Sequence, residues 1–262
     1  MSSANARLID VSVLSATDAP QLYRSREFWE KEFRQVGLWP DLLSWDAVSR
    51  EFSSLIDVHF RRYQLIAVSR SERAQVVGVA HSVPLCIGGS VHDLPENGWD
   101  WALETSMMQR KKGLVPETLC GLSISVLPGF QRRGVGEELI RAVVMAARDN
   151  GLQQVIMPVR PLTKEEHPLL SMEEFMNFVR KDGLHEDPWI RAHQKCGGVI
   201  GKICHRSMTV TASISEWSHW SGNIFRQTGR YAVKDCLAPV NIDMEHSIGV
   251  YEEPNVWVSH SL

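Results

Sequence analysis

Residues 119–147 read LCGLSISVLPGFQRRGVGEELIRAVVMAA, and this stretch contains the junction that decides the fold. Its first part, Leu119 to Val126, is an apolar run with small polar residues, which is typical of a strand, and Pro128-Gly129 breaks it. From residue 135 onward, apolar residues recur at helical spacing. Between the two lies Gln131-Arg132-Arg133-Gly134-Val135-Gly136. The sequence therefore places two arginines and two glycines where a strand passes into a helix.

This junction has the chemistry of an anion site. Glycines let backbone N–H groups approach a ligand closely, and a helix N-terminus adds about half a positive charge. Arg132 and Arg133 add two full charges, so we expect a phosphate or pyrophosphate here. The dinucleotide fingerprint would need a third glycine where Leu139 stands, and the Walker A loop would need Gly-Lys-Ser/Thr. The sequence fits neither of these nucleotide loops.

Composition restricts the class of protein. The chain has 262 residues and a formal net charge of −3, which argues against a nucleic acid as its main partner. Its five cysteines include no C-x-x-C pair, and no zinc spacing surrounds Cys196, Cys204 and His205, so we predict no metal. The stretch MSSANARLIDVS lacks the features of a signal peptide, and no apolar run could span a membrane. We therefore expect a cytoplasmic protein without a membrane partner.

Periodicity along the chain predicts one α+β domain covering residues 1–262. The first part of the chain is predicted to form a strand at 9–13, a helix capped by Thr17 or Asp18, a helical segment in 38–55 and a hairpin in 63–85 with the tip Ser71-Glu72-Arg73. The middle part is predicted to form a helix at 98–112, the strand 119–126, the helix 135–148, a strand at 154–161 and an insertion at 161–188 with a helix opened by Ser171 and Glu174. The last part is predicted to form a helix at 187–198, one or two strands in 199–214, a short helix at 215–222 and strands in the tail.

The pattern Gln131-x-x-Gly134-x-Gly136, after a strand that ends in Val-x-Pro, resembles the signature of the GNAT acyltransferase (N-acetyltransferase) superfamily. The resemblance covers about residues 7–210. It implies a GNAT-like fold, in which a mixed, mostly antiparallel central sheet is flanked by helices and one strand pair splays apart to hold coenzyme A. The insertion 161–188 and the extra C-terminal strands in 211–262 depart from the usual pattern.

The resemblance further implies a site for acetyl-CoA or another acyl-CoA as co-substrate. The pyrophosphate would lie on the N–H groups of residues 132–136, and the pantetheine arm would follow the signature strand. Two features agree with this independently. Pro158 in the next strand cannot donate to a ladder, and Gly121, Ser123 and Ser125 form a face of small residues. The implied contact residues are Ile124, Ser125, Val126, Gln131, Arg132, Arg133, Gly134, Val135 and Gly136.

Acyl transfer to an amine also needs a proton for the departing thiolate. In the family, a tyrosine four residues before the glycine that ends a later helix often supplies it. Gly197 is the matching glycine here, so the tyrosine position is held by His193. We predict His193 as the acid, because an imidazolium can donate a proton near neutral pH. A partly exposed histidine without a catalytic role is the alternative.

The general base is less well defined by the sequence. The slot where many relatives carry a glutamate falls at about Cys120, which is not a carboxylate. We take Glu104 as the candidate base, because it lies in a WDWALE segment that could line the acceptor pocket. The open alternatives are Asp100, Glu117, His81 and a chain of waters. For each of these residues and for Glu104, a place on the surface or in the core is the more common role. Glu252 and Glu253 could hold a cationic amine.

The sequence thus predicts an acyl-CoA-dependent N-acyltransferase that moves an acetyl group directly to the amine of a small molecule in a ternary complex. One alternative keeps the fold but changes the chemistry, to an acyl-carrier or aminoacyl-tRNA donor or to decarboxylation of a malonyl thioester. Another alternative is a non-catalytic module that binds coenzyme A. The acceptor itself is left open.

Overall fold

The computed structural model describes residues 9–70 and 75–262, with the backbone alone at positions 26, 27, 30 and 34. The predicted hairpin tip Ser71-Glu72-Arg73 and the start of the predicted core at residue 7 lie outside these ranges. The helices are α1 (Arg26–Gln35), α2 (Ala47–His59), α3 (Gly98–Lys111), α4 (Val135–Asp149), α5 (Met172–Met176), α6 (Pro188–Lys195) and α7 (Ile214–Ser221). The strands are β1 (Val11–Ser15), β2 (Leu65–Ser69), β3 (Val76–Leu85), β4 (Thr118–Val126), β5 (Gln154–Val159), β6 (Val199–Ser213), β7 (Gly229–Tyr231), β8 (Val240–Asp243) and β9 (Ile248–Ser261).

Within the described residues, nine strands form one sheet in the order β1-β2-β3-β4-β5-β9-β8-β7, with β6 paired to β9. The first four strands pair antiparallel, β4 and β5 pair parallel, and the remaining pairs are antiparallel. The predicted mixed, mostly antiparallel sheet flanked by helices is therefore confirmed. The segment 199–214, for which the sequence left one or two strands open, forms the single strand β6.

The last strand, β9, lies inside the sheet. Along one edge of β9, the C-terminal half of the strand pairs with β5 and the N-terminal half pairs with β8. Strand β6 runs along the opposite edge of β9 for nearly its whole length. The C-terminal strands are thus joined to the strand pair that the sequence linked to coenzyme A.

The two faces of the sheet carry different helices. Helix α4 packs on one face, where Gly78 of β3 leaves room for Val135 and Leu139. Because side chains alternate along β4, Ser123 and Ser125 lie on the opposite face. That second face is covered by α3 and by the segments before β2, and it holds the pocket described below.

The first helix begins later than the sequence predicted. Instead of starting a helix, Thr17 and Asp18 form a turn in which Ser15 Oγ donates to Asp18 Oδ2 at 2.6 Å. The side-chain hydrogen bonds of Ser15 and Asp18 compete there with helix formation. The helix α1 begins at Arg26 and buries Trp29 and Phe33, the two aromatic residues whose spacing predicted it.

The insertion 161–188 is anchored by buried polar groups. Its helix α5 opens with the predicted capping box of Ser171 and Glu174. The Lys164 side chain is fully buried, and its ammonium group donates to the carbonyls of His167 and Leu237 at 2.8 and 2.7 Å. The Asp187 carboxylate caps α6 and also accepts from Thr163 N at 2.7 Å. The insertion is therefore held to the C-terminal segment and to α6.

Candidate active site

The junction loop has the backbone shape of an anion cradle. Arg132 has φ of 57° and Gly134 has φ of 86°, so both residues adopt the left-handed conformation. Gly134 is the N-cap of α4, and the N–H groups of the first helical turn have no acceptor within the helix. Arg132 is exposed. The loop can therefore hold a pyrophosphate with backbone N–H groups and cationic side chains.

Several contacts fix this loop in place. The side chain of Gln131 donates to the carbonyl of Val126 at 3.1 Å, and Ile9 N donates to the carbonyl of Arg133 at 3.2 Å. A Cβ atom at Gly136 would come within 3.0 Å of the Trp189 ring, so α6 packs directly on the start of α4. The cradle is thus supported from the strand before it and from the helix beside it.

The parallel strands β4 and β5 separate just before the loop. Their pairing covers Thr118–Gln154, Leu119–Val155 and Cys120–Ile156, and it ends there although both strands continue. Pro158 lies in the part of β5 beyond the last pair. Because proline has no backbone N–H group, the separation of β4 from β5 leaves no donor of residue 158 without a partner. The two strands therefore separate between their last pair and the loop.

Beyond the last β4–β5 pair, the indole of Trp99 replaces a strand partner. Trp99 Nε1 donates to the carbonyl of Leu122 at 3.0 Å. The start of α3 is held close to β5 and β6, because a Cβ atom at Gly98 would meet Ser207 Oγ at 2.8 Å, Cys204 Sγ at 2.9 Å and Pro158 Cβ at 3.1 Å. Trp99 also lines the pocket on this face, so the gap and the pocket share a wall.

The pocket lies against β3 and β4 on the face opposite α4. It combines aromatic and apolar side chains with hydroxyl groups and one histidine. Trp39 Nε1 donates to Ser125 Oγ at 2.7 Å, which ties the segment before α2 to β4. The lining residues are Phe33, Trp39, Pro40, Leu43, Ser44, Ser49, His81, Trp99, Ser123, Ser125 and Met208.

The pocket histidine, His81, has a defined tautomer. The Gln64 amide nitrogen donates to the carbonyls of Phe60 and Ser82 at 2.7 and 2.8 Å, so the orientation of the amide is fixed. Its oxygen therefore faces His81 Nδ1 at 3.2 Å and must accept a hydrogen bond from it. This places the proton on Nδ1 and makes Nε2 the basic nitrogen of His81.

Two carboxyl groups lie beside the pocket. The Asp46 side chain accepts from Ser49 N at 2.7 Å and from Thr209 N at 3.3 Å, and it is hydrogen-bonded to Asp100. Burial and, after it, the charge of Asp46 raise the pKa of Asp100 to about 9. Asp100 is therefore protonated at neutral pH.

Comparison with known proteins assigns the chain to a family. The model of the acetyltransferase (GNAT) family matches residues 24–170. The chain belongs to the GNAT family. An arginine N-acetyltransferase from Aspergillus versicolor, avaD, is 28% identical over 276 residues, which cover 96% of this chain and 94% of that protein. The loading GNATL domain of CurA from Lyngbya majuscula is 14% identical, covers 96% of this chain and 98% of that chain, and has a TM-score of 0.57, which shows the shared fold.

Membership of the GNAT family confirms two predictions made from the sequence, the fold and the acyltransferase activity. It leaves the individual site residues to be argued from the geometry. Among the predicted contact residues, Ser125 lines the pocket, whereas its neighbours Ile124 and Val126 point to the α4 face. Residues 131–136 form the cradle.

His193 is placed differently from what the sequence predicted. It is buried, with Nδ1 3.1 Å from Nε2 of His260 and its ring edge-on to Trp189. Burial, with a contribution from His260, lowers the pKa of His193 to about 3. The ring is thus buried and neutral at physiological pH, whereas the sequence predicted an imidazolium acid, with a partly exposed histidine as the alternative. Its role as proton donor stays a prediction, and it would require a proton to be gained when the co-substrate binds.

The predicted carboxylates are not brought to the pocket. Glu104 is exposed on α3, and Glu252 is exposed on β9. Glu253 is buried and already hydrogen-bonded to other side chains, since Arg160 and the Tyr251 hydroxyl both donate to it at 2.9 Å. The thiol of Cys120 is buried. Of the alternatives that the sequence left open, His81 is the one that lines the pocket.

Sequence reasoning missed the contributions of the segment before α2. Trp39, Leu43 and Ser49 line the pocket and Asp46 lies beside it, yet their only sequence signal was a helical pattern. Asp46 precedes a helix and could have been read as an N-cap. Its second partner, Thr209, is far away in sequence, and no local pattern could have revealed it.

Across residues 9–70 and 75–262, no group of three or more histidine, cysteine, aspartate or glutamate side chains could hold a metal ion. No helix in these ranges has the length and apolar character needed to cross a membrane.

Proposed function

We propose that this protein is an acetyl-CoA-dependent N-acetyltransferase whose acceptor is arginine or a small molecule that contains arginine. The observation that carries the proposal is that the pocket and the β4–β5 gap share the wall formed by β4 and Trp99. An acceptor in the pocket and an acyl chain in the gap would therefore meet. The likeness to the arginine N-acetyltransferase over 96% of the chain supports arginine as acceptor.

The acyl donor in this proposal is held by the cradle and the gap. Residues 131–136 bind the pyrophosphate through backbone N–H groups and the two arginines, and Ser125 and Val126 border the acyl end of the arm. Acetyl-CoA supplies the acetyl group as a thioester. The protein orients this thioester, excludes water with the aromatic residues around the pocket and accepts the proton that the acceptor loses.

The pocket suits a planar cation with an apolar stem. Guanidinium groups stack on aromatic faces, and Trp39 and Trp99 offer such faces. Leu43 and Met208 provide apolar surface for methylene groups, while Ser44 and Ser49 carry hydroxyl groups for polar contacts. Among its described lining residues, the pocket has no lysine or arginine that would repel a cation.

We propose His81, in place of Glu104, as the general base. Its Nδ1–H is directed at Gln64, so Nε2 carries the lone pair that can take a proton from the acceptor nitrogen. A histidine suits an α-amine, which is far less basic than a guanidinium, whose pKa is above 12. The proposed product is therefore acetylated on the α-amine.

The function is tested with purified protein, acetyl-CoA and arginine. We expect release of one free thiol per acetylarginine formed, with the acetyl group placed on the α-amine by mass spectrometry. Amines without a guanidinium group, such as phenethylamine, serve as the comparison and should react more slowly. Absence of thiol release with arginine, from protein that still binds coenzyme A, would reject the proposed acceptor.

His81→Gln tests the proposed base. Loss of a general base typically lowers kcat by about 10²–10⁴-fold, and the KM for arginine should change little, because the glutamine side chain preserves most of the volume. The ascending limb of the kcat–pH profile should also disappear. If kcat and its pH profile stay at the wild-type values, a water molecule and not His81 takes the proton.

The remaining assignments are proposals at the level of the whole protein. We propose a single domain, supported by the one sheet that joins β1 to β9 across the described residues. We propose the cytoplasm as its compartment, supported by five free cysteines. The small amine acceptor and the acidic net charge favour a small-molecule partner over a tRNA donor.

A further inference from the structure

A second cavity, here called the basic cavity, lies away from the acceptor pocket. Its volume is about 490 Å³, which is in the range of sites for small molecules. It is lined by Pro84 of β3, which pairs with Leu119 near the start of β4. The acceptor pocket is lined by Ser125 near the end of β4, so about 20 Å of strand separates the two places. The basic cavity is therefore not part of the site for acetyl transfer.

The basic cavity brings together basic side chains from the ends of two helices. His59 ends α2, Arg61 and Arg62 belong to the turn that follows it, and Arg110 lies in the last turn of α3. None of the described residues that line the cavity is an aspartate or a glutamate. No described carboxylate forms an ion pair with any of these arginines. The cavity therefore carries a positive charge that its described lining does not neutralise.

The arginine side chains keep hydrogen-bond donors available. Arg61 is half-buried, with Nε donating to the carbonyl of Ala16 at 3.3 Å and the guanidinium carbon 5.3 Å from the centroid of the Tyr23 ring. The terminal nitrogens of Arg61 make no hydrogen bond with a described residue. The side chain of Arg110 is exposed and has no hydrogen-bond partner among residues 9–70 and 75–262. Both arginines can therefore donate to a ligand.

Helix ends alone do not explain this cluster. A cation in the last turn of a helix is favourable by itself, which accounts for His59 in α2 and for Arg110 in α3. Arg61 and Arg62 lie beyond α2 and line the same cavity. Burial and, after it, the charge of Arg110 lower the pKa of His59, so the like charges already disfavour one another. An anion in the cavity would relieve this repulsion.

We propose that the basic cavity binds a small polyanion that carries two or more phosphate or carboxylate groups. A guanidinium presents a planar fork of N–H donors that matches the oxygen atoms of both kinds of group. A ligand with at least two anionic groups can contact more than one of the arginines at once. This site is separate from the pyrophosphate cradle before α4, and the proposal does not depend on which acceptor the protein acetylates.

The test is calorimetric titration of pyrophosphate, and separately of citrate, into protein saturated with coenzyme A at about 0.15 M salt. The coenzyme fills the cradle, and the salt screens non-specific attraction. We expect one bound probe per chain, and the probe that binds more tightly identifies the phosphate or the carboxylate class. The double variant Arg62→Gln with Arg110→Gln should raise the Kd by about tenfold or more.

The matched control is the double variant Arg226→Gln with Arg230→Gln. Both arginines are exposed, and they lie at β7, the last strand in the order of the sheet, several strands away from β3. This variant loses the same amount of charge, so its Kd for the probe should equal that of wild type. Unfolding midpoints in urea check that both double variants are folded.

A second measurement needs only one assignment variant, His59→Gln, which identifies the NMR signal of His59. A bound anion offsets the charge of Arg110, so the pKa of His59 in wild-type protein should rise when the probe is bound. An unchanged pKa contradicts the proposal, and so does equal affinity of the two arginine double variants. If neither probe binds, or if coenzyme A prevents the binding, the cavity is not the anion site and the proposal is wrong. None of these outcomes affects the proposed acetyl transfer.

Discussion

His193 and Asp100 are both uncharged at neutral pH for the same physical reason, which is that burial disfavours the charged form of each side chain. The direction of the pKa shift differs because one is a base and the other an acid. For His193 the consequence is a structural role in the absence of ligand, between Trp189 and His260. For Asp100 it is a protonated carboxyl group beside Asp46.

The burial of His193 makes a prediction about stability. Its pKa is about 3 in the folded protein and about 6.5 when unfolded, so between these values only the unfolded chain gains the proton. The free energy of unfolding therefore falls as pH decreases from 6.5 towards 3. In His193→Phe the decrease in the free energy of unfolding should be smaller than in wild type, by up to about 1.4 kcal/mol per pH unit. Urea unfolding between pH 7 and 5 measures this difference.

The control for this experiment is His92→Phe, which replaces an exposed histidine and should unfold in parallel with wild type. If the free energy of unfolding of His193→Phe also follows that of wild type with pH, then His193 is accessible to protons in the folded protein. The same variant tests the proton-donor role in catalysis: a kcat equal to wild type at every pH excludes it.

At the scale of elements, the loop before α4 is the feature on which the acyl-CoA site depends. Its left-handed residues and the helix N-terminus fix the backbone N–H groups, and the arginine side chains add charge. Such a site binds anions through electrostatics, so its affinity should respond to single charges.

Charge reversal in this loop should weaken the binding of coenzyme A. We expect Arg132→Glu to raise the Kd by about tenfold or more, and the double change with Arg133→Glu to raise it further, because each reversal turns an attraction into a repulsion. Arg148→Glu, at the far end of the same helix, carries the same change of charge and should leave the Kd near wild type. Equal Kd values for Arg132→Glu and Arg148→Glu would reject the loop as the pyrophosphate site.

The packing of α7 against β9 depends on the absence of a side chain at Gly249. A Cβ atom at Gly249 would clash with Cδ1 of Trp217, whose ring is fully buried and whose Nε1 donates to the Gly249 carbonyl at 2.9 Å. The indole cannot move aside without breaking this bond, so Gly249→Ala should cost about 1–3 kcal/mol in urea unfolding. In the control Gly229→Ala, the added Cβ atom would lie 3.9 Å from Cε2 of Tyr231, and we expect no comparable loss. Equal unfolding midpoints would show that Trp217 repacks freely.

At the scale of the whole molecule, the order of strands ties the C-terminus to the active site. β9 supplies the antiparallel partner of β5 on the side away from the gap, and it also pairs with β6. Strand β5 pairs with β4 over three residues only, so much of its support comes from β9. The gap is therefore defined by a strand that lies at the end of the chain.

This order predicts the effect of a truncation. A chain ending at residue 247 keeps the complete cradle but loses β9, and we expect it to lose cooperative unfolding and the binding of coenzyme A together. The loss has a packing cause, because Trp257 and Val258, which are fully buried in the sheet, are removed with β9. Circular dichroism and binding measurements check this. A truncated chain that binds coenzyme A with wild-type affinity would contradict it.

Much of the fold could be predicted because its signals are local. The alternation in β4, the break at Pro128-Gly129 and the apolar stripe of α4 each lie within a few residues, and the structure places strand, loop and helix where they indicate. The capping box of α5 and the Asp187 cap of α6 were equally local. The start of α1 was misplaced, because Thr17 and Asp18 use their side chains in a turn.

The sequence by itself determined the anion cradle, since its glycines, arginines and helix start are consecutive and their chemistry does not depend on distant neighbours. Only the tertiary structure decided which residues surround the acceptor and what charge they carry. His81 meets Gln64 across a strand pair, Asp46 meets Asp100 across two helices, and His193 meets His260 in the last strand. Burial and partners set the protonation of such groups, and both arise from contacts between residues that are far apart in the chain.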